Sequence, residues 1–318
     1  MTDWDDLKVF LAVARGESLS RAGKVLKLDA ATAGRRIARL EEAMGARLFS
    51  RSPQGYLLTD EGGRLVAHAE AIEAEMARAQ DAMAGPVEGI SGQIRIGAPD
   101  GCANYLLPQV VAGIVAANPG LEVQIVALPR VFNLSRREAD MVIAVSRPEQ
   151  GRVIVQKITD YRLHLAASDS YLCAAPGLEA LTDLPAHRVI GYIPDMIFDR
   201  ELDYLAALGV DHPPLASNSV SVQLNLIRQG AGVGVVHDFA LPAVPGVRRV
   251  LTGVFSLTRA FHLVRHEGDR RVPRLERFAE ALVSGLRAEV RRLEAQLQMA
   301  GGRDDPAGGS QNRDAARL

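Results

Sequence analysis

The stretch SLSRAGKVLKLDAATAGRRIARLEE, residues 18–42, decides the fold of the first part of the chain. Its beginning predicts a short helix capped by Ser20, and after a tight turn the carboxylate of Asp29 predicts the start of a second helix. Small and apolar residues recur at helical spacing and predict the buried face of this second helix: Ala30, Ala33, Ile37, Leu40 and Met44. Two short helices joined by a tight turn are typical of a helix-turn-helix.

The opposite face of the second helix is predicted to approach DNA. By their spacing, four polar residues share this solvent face: Thr32, Arg35, Arg36 and Arg39. Ala30 and Ala31 are small enough to let the backbone come close to the major groove, where arginine binds guanine with two hydrogen bonds and also contacts phosphate. An ordinary solvated basic face is the alternative. The short helix and turn before the arginines favour the DNA-binding interpretation.

The flanking segments complete a small domain. Residues 4–16 predict a first helix with an apolar stripe of Leu7, Phe10, Leu11 and Ala14, and Gly16 is expected to end it. Two short apolar runs around the turn at 52–55 predict a hairpin, which would form a wing beside the second helix of the pair. Arg51 at its base can contact phosphate or be an ordinary surface arginine. The expected DNA-binding residues are therefore Ser20, Arg21, Asp29, Ala30, Ala31, Thr32, Arg35, Arg36, Arg39 and Arg51.

Composition is that of an ordinary globular protein with a local basic region. The 318 residues are 47% hydrophobic and 24% charged, with a net charge of −1. Residues 19–51 carry eight basic and three acidic side chains, and such a local patch suits a sequence-specific DNA binder. Two cysteines, Cys102 and Cys173, provide no disulfide framework and fit a reducing compartment. With no secretory segment or membrane-spanning apolar run, we expect a cytoplasmic protein that does not bind membranes.

A long helix is predicted after the wing, from residue 60 to about residue 83, with Thr59 as its cap. Its apolar residues are spaced as a heptad seam: Leu65, Ala69, Ile72, Met76, Ala79 and Met83. The seam can pack on the body of its own chain or on a second copy. An elongated helix beside a small domain more often pairs with its twin, so we expect a homodimer. Its two recognition helices, about 34 Å apart, would read the two halves of a near-palindromic DNA site.

The pattern changes to alternating strands and helices after a Gly/Pro-rich break at 85–92. Strands are expected at 93–97, 121–128, 140–145, 153–158, 162–167, 189–192 and 260–264, and helices at 106–117, 135–139, 200–208, 220–229 and 272–299. This order predicts a mainly parallel sheet in two similar lobes with a cleft between them. The expected domains are 1–59 (winged helix-turn-helix), 60–91 (linker helix and hinge), 92–299 (two-lobe α/β domain) and 300–318 (disordered tail).

Small molecules bind such α/β sheets at the carboxyl ends of the strands. Residues in the loops expected there are the candidate ligand contacts: Pro99, Asp100, Cys102, Asn133, Ser146, Asp195, Ser217 and Asn218. Each of them taken singly is also typical of a turn or a helix cap.

Catalytic, metal and cofactor sites are not expected. The glycine-rich residues 230–234 follow a helix and precede a strand, the reverse of a dinucleotide-binding loop. His262 and His266 lie on a predicted strand, which separates them by roughly 13 Å, too far to share a metal ion. Cys102 has no histidine close in sequence, so a ligand-contacting or buried thiol is the better interpretation than a nucleophile.

These blocks together resemble the LysR-type transcriptional regulators over residues 3–290. The resemblance is carried by LKVFLAVA at 7–14, SLSRAG at 18–23, LDAATAGRRI at 28–37, LE at 40–41, GARLFSR at 45–51 and LTDEG at 58–62. It implies a winged helix-turn-helix, a dimerising linker helix and an effector-binding domain like periplasmic binding proteins. Double-stranded DNA, a small-molecule effector and a homodimer or homotetramer are the implied partners, with RNA polymerase as a further candidate.

Three features depart from the commoner pattern of the family. One is Ala31, because a proline often stands near the start of the recognition helix. Gly34 stands where a Ser or Thr usually precedes the recognition arginine, so Arg35 and Arg36 are the better candidates for DNA contact. The loop 99–102 carries Asp100 and lacks the hydroxyl that often holds a carboxylate effector. Two other functions remain as alternatives: a solute-binding module that only oligomerises through its helical N-terminus, and, less favoured, an enzyme that uses Cys102.

Overall fold

The computed structural model describes residues 3–52, 55–83, 89–127, 139–148 and 153–301. Its first domain begins with α1 (Trp4–Gly16), α2 (Leu19–Leu26) and α3 (Ala30–Met44). Asp29 caps α3 as expected. The predicted cap of α2 is wrong: Ser18 accepts the N–H of Arg21, while Ser20 lies exposed in the first turn. The helix starts two residues earlier because Ser18 has the extended backbone that an N-cap requires.

The three helices share one apolar core. Phe10, Leu11, Ile37 and Leu40 are buried in it, so the predicted faces of α1 and α3 are confirmed at these positions. Met44 is the exception, because 39% of its surface is exposed. The helix turns Met44 out of the core at its last residue.

A two-stranded antiparallel wing follows, formed by β1 (Phe49–Ser52) and β2 (Gly55–Leu58). The N–H of Tyr56 donates to the carbonyl of Glu17 at 2.9 Å and holds the wing against the end of α1. Gly55 allows this approach: its φ is +128°, and a Cβ atom there would lie 2.3 Å from the same carbonyl oxygen. The wing is therefore attached to the helical core.

The linker helix α4 (Asp60–Met83) is confirmed, and the hydroxyl of Thr59 accepts the N–H of Gly62 at its start. Its apolar seam has two parts with different environments. Ala69 is fully buried against the chain's own helical core, whereas Ile72 and Met76 are each 42% exposed and Met83 is 86% exposed. Only the second part of the seam is free to pack on another copy.

The α/β domain begins with β3 (Gly92–Ala98), α5 (Asp100–Tyr105), α6 (Leu107–Ala116), β4 (Leu121–Ala127) and β5 (Met141–Ala144), which form lobe I. Lobe II then contains the far end of β6 (Val153–Ser168) with α7 (Asp169–Ala174), β7 (Val189–Gly191), β8 (Leu215–Ala216), α8 (Val220–Arg228), β9 (Val233–His237) and β10 (Val247–Arg249). Strand β11 (Leu257–His266) returns to lobe I, and α9 (Pro273–Gly301) ends the described chain.

One mixed sheet of nine strands runs through both lobes in the described part of the chain. Strand β3 pairs in parallel with β4 and β5, and β7 pairs in parallel with β8 and β9. The expectation of a mainly parallel sheet is wrong for the centre, where β6 and β11 pair with each other and with their other neighbours antiparallel. These two strands pass from one lobe to the other.

Several predicted elements need correction. The two strands expected at 153–158 and 162–167 are the single strand β6. The helix expected at 200–208 consists of two 3₁₀ turns, Arg200–Leu202 and Ala206–Leu208, separated by the buried Tyr204. The loop expected at 98–102 is already helical from Asp100 onward. The turn at 135–139, except Ala139, and the tail from 302 onward lie outside the described residues.

Helix α9 extends along both lobes. Near its start Arg274 donates to the carbonyl of Gln93 in lobe I, and Arg287 donates to the carbonyl of Ile158 on β6. Further along, Glu294 accepts the N–H of Arg162, and Val290 and Leu293 are buried. No helix among the described residues is long and apolar enough to cross a membrane.

We expect Gly23→Ala to destabilise the first domain by about 1–3 kcal/mol. A Cβ atom at this position would lie 2.4 Å from the carbonyl oxygen of Leu28, at the turn between α2 and α3. Trp4, the single tryptophan, lies in this domain, so its fluorescence during urea unfolding measures the change. Gly113→Ala on α6 is the control, because a Cβ atom there meets nothing within 4 Å. Equal midpoints for Gly23→Ala and the parent would contradict this packing.

Candidate functional site

A hydrogen-bonded chain of three polar side chains stands at the exposed beginning of α3. Asp29 accepts the N–H and the hydroxyl of Thr32, both at 2.7 Å, and Arg35 donates to the Thr32 hydroxyl oxygen at 2.7 Å. The hydroxyl and then the N–H of Thr32 hold the pKa of Asp29 below its usual range. Asp29 orients Thr32, and Thr32 orients Arg35. The guanidinium of Arg35 is therefore held near the N-terminal end of α3, the part of the second helix that enters a DNA groove in this motif.

The other two arginines of α3 are directed toward α1. Arg39 forms two hydrogen bonds with the buried carboxylate of Asp6, at 2.6 and 2.5 Å, and Arg36 lies 3.8 Å from Asp5. Only 28% of the Arg36 side chain is exposed, against 59% for Arg39. Arg35 and Arg39 are exposed on the predicted solvent face, and Thr32 and Arg36 are half-buried there. Helical spacing did not predict that Arg36 and Arg39 also pair with carboxylates of α1. Their partners lie more than thirty residues away in sequence, beyond the reach of helical spacing.

The remaining expected DNA-binding residues lie around the start of α3 and on the wing. Ser20, Arg21 and Ala31 are exposed, and Ala30 is half-buried. Arg51 extends from β1 with its guanidinium over the ring of Tyr56, 5.4 Å from the ring centre. Exposed basic side chains therefore lie on α2, on α3 and on the wing of the first domain.

Glu41 is a positioning residue that sequence analysis did not single out. Its carboxylate is buried and accepts the N–H groups of Leu48 and Phe49 at 2.9 and 3.3 Å, together with a bond from Arg47. Burial raises the pKa of Glu41, but these three hydrogen bonds outweigh it, so the pKa is lowered. The carboxylate ties the end of α3 to the first strand of the wing.

In the α/β domain, Asp100 bridges the two lobes. Its carboxylate oxygen Oδ2 accepts the hydroxyl of Ser219 at 3.1 Å, and the N–H and hydroxyl of Ser221 at 2.9 and 3.0 Å. Asp100 begins α5 in lobe I, whereas the two serines stand at the beginning of α8 in lobe II. The candidates Ser217 and Asn218 immediately precede this contact, so the structure brings them to the same edge of the cleft as Asp100.

A second bridge joins Ser146 of lobe I to Asp199 of lobe II. The Ser146 hydroxyl donates to the Asp199 carboxylate, which also accepts the N–H of Glu201. Ser146 was among the expected ligand contacts, whereas Asp199, Ser219 and Ser221 were missed. The sequence could have indicated Ser219 as a helix cap at the cleft, because it follows a run of turn-forming residues and precedes a predicted helix.

The other candidate cleft residues have different surroundings. Pro99 precedes α5 without a side-chain cap, and Asp195 lies exposed in the 3₁₀ turn Pro194–Met196. Cys102 is fully buried, and burial raises the pKa of its thiol, which disfavours the thiolate that a nucleophile requires. Asn133 lies outside the described residues.

Aromatic rings pack together in the buried core beside α5. Tyr161 on β6 stacks on Phe261 of β11 with 4.2 Å between ring centres, and His237 stacks on Tyr161 at 5.4 Å. His237 is 3% exposed, its Nε2 lies 3.3 Å from the Tyr204 hydroxyl, and its Nδ1 has no hydrogen-bond partner among the described residues. The ring lies over Gly101, where a Cβ atom would be 3.3 Å from Cε1 of His237.

A cavity of about 570 Å³ lies in lobe II beneath the same edge. Its lining combines apolar side chains such as Tyr192, Ile197 and Leu202 with polar ones, which are Asp199, Arg200, Asp203, Asp211, His212 and Gln223. Cavities of this volume and mixed lining are typical of small-molecule sites. Within the described ranges, no group of three or more His, Cys, Asp or Glu side chains could hold a metal ion.

Comparisons with known proteins agree on one family. The chain matches the family described as bacterial regulatory helix-turn-helix protein, lysR family, over residues 4–63, and the LysR substrate binding domain over residues 88–287. The HTH-type transcriptional regulator CrgA of Neisseria meningitidis serogroup C is 24% identical over 244 residues, which cover 75% of this chain and 80% of CrgA.

Solved structures show the same fold. A full-length variant of OxyR from Pseudomonas aeruginosa superposes with a TM-score of 0.68 and 17% identity, covering 90% of this chain and 95% of OxyR. LysG from Corynebacterium glutamicum, solved with bound effector Arg, gives a TM-score of 0.61 and 19% identity, covering 89% and 98%.

The chain belongs to the LysR family of bacterial transcriptional regulators. It is a sequence-specific DNA-binding regulator whose activity is controlled by a small-molecule effector bound in the cleft of its C-terminal domain. The two-lobe domain resembles periplasmic binding proteins in its fold. The family consists of transcriptional regulators rather than enzymes, and its members form oligomers.

We expect acid to destabilise the cleft through His237. Burial lowers the pKa of His237 from 6.5 to about 4, so the folded protein binds a proton less readily than the unfolded chain. The contribution of this histidine to stability is therefore intact above pH 6.5 and falls as the pH drops toward 4, by up to about 3 kcal/mol. Denaturant unfolding of the full chain across this range measures the loss.

His237→Asn removes the titrating group and should flatten the pH dependence of the unfolding free energy between pH 6.5 and 4. His212→Asn, a substitution of an exposed histidine, is the matched control and should keep the slope of the parent. Parallel curves for His237→Asn and the parent would show that His237 does not contribute to the slope.

Proposed function

We propose that this regulator reads DNA with the first turns of α3 and binds DNA as a dimer held by the second half of α4. The observation that carries the proposal is the chain of Asp29, Thr32 and Arg35. It presents an oriented guanidinium at an exposed helix start, with small residues beside it. Arginine held in this way can make two hydrogen bonds to a guanine edge.

We assign different tasks to the other basic residues. Arg21 and Arg51, with Ser20, are proposed to contact backbone phosphates on either side of the groove, because they are exposed and flank α3. Arg36 and Arg39 are proposed mainly to fix α3 on α1, since their guanidinium groups face Asp5 and Asp6. Ala30 and Ala31 are proposed to allow close approach of the helix backbone to the bases.

The dimer is proposed from the exposed part of the α4 seam, where Ile72, Met76 and Met83 follow heptad spacing. Pairing of two such helices would remove these side chains from water and set the distance between the two DNA-binding domains. A homotetramer would be a pair of such dimers. We further propose that the protein is located in the cytoplasm, together with the DNA that it binds. We also propose that the DNA-bound protein changes transcription by contacting RNA polymerase.

For the effector, we propose the cleft edge formed by Asp100, Ser146, Asp199 and the beginning of α8, together with the adjoining cavity. The support is the convergence of polar groups from both lobes beside a cavity of mixed apolar and polar lining, which is typical of ligand sites. A ligand held by both lobes changes regulation to the extent that it prefers one arrangement of the lobes.

We expect Arg35→Ala to weaken binding to a cognate DNA site by about 1–3 kcal/mol. The full-length protein is titrated against DNA from the region upstream of its own gene, by fluorescence anisotropy at two salt concentrations, with random DNA for comparison. Arg200→Ala is the matched control, because this arginine is 92% exposed in lobe II and far from α3 in the sequence. It should bind as the parent does. Equal binding by Arg35→Ala would remove Arg35 from base recognition.

We expect Ile72→Lys to break the dimer, because pairing would then bury a charge in an apolar seam. Sedimentation velocity of the full chain should show a shift from dimer to monomer over a concentration range in which the parent remains dimeric. Ala71→Lys adds the same charge at an exposed position about 100° around the helix and should leave the dimer intact. A dimeric Ile72→Lys variant would place the interface elsewhere.

A further inference from the structure

We propose that Asp100 is an intramolecular latch between the lobes. Its carboxylate, which belongs to lobe I, is bound by the beginning of α8 in lobe II, and this contact holds the two lobes closed without an added ligand. The proposal deepens the proposed function, because it concerns the regulation of the same cleft. According to this proposal, the protein's own carboxylate occupies the anion-binding donors at the beginning of α8. The proposal also predicts which small molecule can take the place of that carboxylate when the Asp100 side chain is removed.

The geometry of the donors carries the argument. One oxygen of Asp100 receives three hydrogen bonds, from the hydroxyl of Ser219 and from the N–H and hydroxyl of Ser221. The N–H belongs to the first turn of a nine-residue helix, where unpaired amide groups and the helix dipole both favour an anion. The donors come from residues 119 and 121 positions away, in the opposite lobe. Three charge-assisted bonds across a cleft oppose its opening.

This carboxylate does not serve as the ordinary cap of α8. That task belongs to Ser219, whose hydroxyl oxygen accepts the N–H of Val222 at 3.3 Å. Asp100 adds a second acceptor from another lobe at a helix start that is already capped. The contact therefore contributes to the arrangement of the lobes rather than to the formation of the helix.

Two further observations support a closed, self-occupied cleft. Ser146 and Asp199 form a second bridge with the roles reversed, the hydroxyl on lobe I and the carboxylate on lobe II. Beneath Asp100, the buried His237 turns an Nδ1 without a hydrogen-bond partner among the described residues toward Gly101. Burial lowers the pKa of this histidine and keeps it neutral near pH 7, so the donors of α8, and not a charged His237, hold the carboxylate of Asp100.

Removal of the Asp100 side chain would leave three donors facing the cleft without an acceptor. Such a set should bind a small carboxylate, because N–H and hydroxyl donors at a helix start favour an anion. Formate has the size of the group that Asp100→Ala removes. The parent protein should not respond to formate, since its own carboxylate already occupies these donors.

The test measures the distance between the lobes in the full-length protein without DNA. One spin label is attached to Cys173, which is exposed on α7 of lobe II. The other is attached to the thiol that the substitution Glu122→Cys introduces at an exposed position on β4 of lobe I. Cys102 is fully buried and should remain unlabelled. Pulsed electron paramagnetic resonance then gives the distribution of distances, with sodium formate or with sodium chloride at equal ionic strength.

In the parent we expect one narrow distribution that formate does not change. Asp100→Ala should broaden it and shift it to longer distances, and formate but not chloride should restore the narrow distribution. Asp100→Asn should also open the cleft without rescue, because the amide fills the space that formate needs. Glu179→Ala removes an exposed carboxylate of lobe II away from the cavity and should behave as the parent.

An unchanged distribution in Asp100→Ala, or one that formate does not restore, would overturn the latch. If Asp100→Ala does not fold, as judged by circular dichroism, Ser221→Ala provides the second test. It removes one of the three donors and should broaden the distribution, whereas a distribution like that of the parent would overturn the proposal. If the parent is closed but binds no DNA, the proposed mode of DNA binding is refuted and the latch stands. If the parent binds DNA but Asp100→Ala leaves the distance distribution unchanged, the latch is refuted and the proposed mode of DNA binding stands.

Discussion

The antiparallel pairing of β6 with β11 is the constraint on which the α/β domain depends. These strands are paired from Val153 to Leu163 on one side and from Leu257 to His266 on the other, with one shift of register between Phe261 and His262, and so they continue from lobe I into lobe II. Each lobe adds its parallel strands to one end of this pair. Because the carboxyl ends of strands from both lobes consequently face each other, α5 and α8 begin on opposite sides of the same cleft, and Asp100 can reach Ser221.

The sequence could predict those parts of the fold and of the candidate sites whose contacts are local, and it missed those whose partners are distant in the chain. Helix-turn-helix, wing and linker helix follow from local signals such as the Asp29 cap and helical spacing, which act within a few residues. The partner of Arg39 is Asp6, and the donors to Asp100 lie in another lobe, so no local pattern indicated either contact. Strand β6 looked like two strands because its polar middle faces solvent, and the segment 200–208 contains helix-forming residues that tertiary packing holds in 3₁₀ turns.

Charge is used in both functional regions to position groups before a ligand arrives. In the first domain, Asp29 orients an arginine through Thr32, and Glu41 fixes the wing relative to α3. In the cleft, carboxylates and serine hydroxyls of opposite lobes satisfy each other. Preorganisation of this kind lowers the conformational entropy that binding would otherwise cost. The protein can therefore keep a net charge near zero and still present strongly directional polar groups where they are needed.

The buried carboxylate of Glu70 on α4 connects the two domains of one chain. Its oxygens lie 3.9 Å from Arg15 of the first domain and 3.4 Å from His266 of the α/β domain. A buried carboxylate that loses one partner is destabilised, so separation of either domain leaves Glu70 less well compensated. The free energy of unfolding of each domain therefore includes a contribution from its contact with Glu70. The linker helix thus makes the stability of each domain depend on the presence of the other.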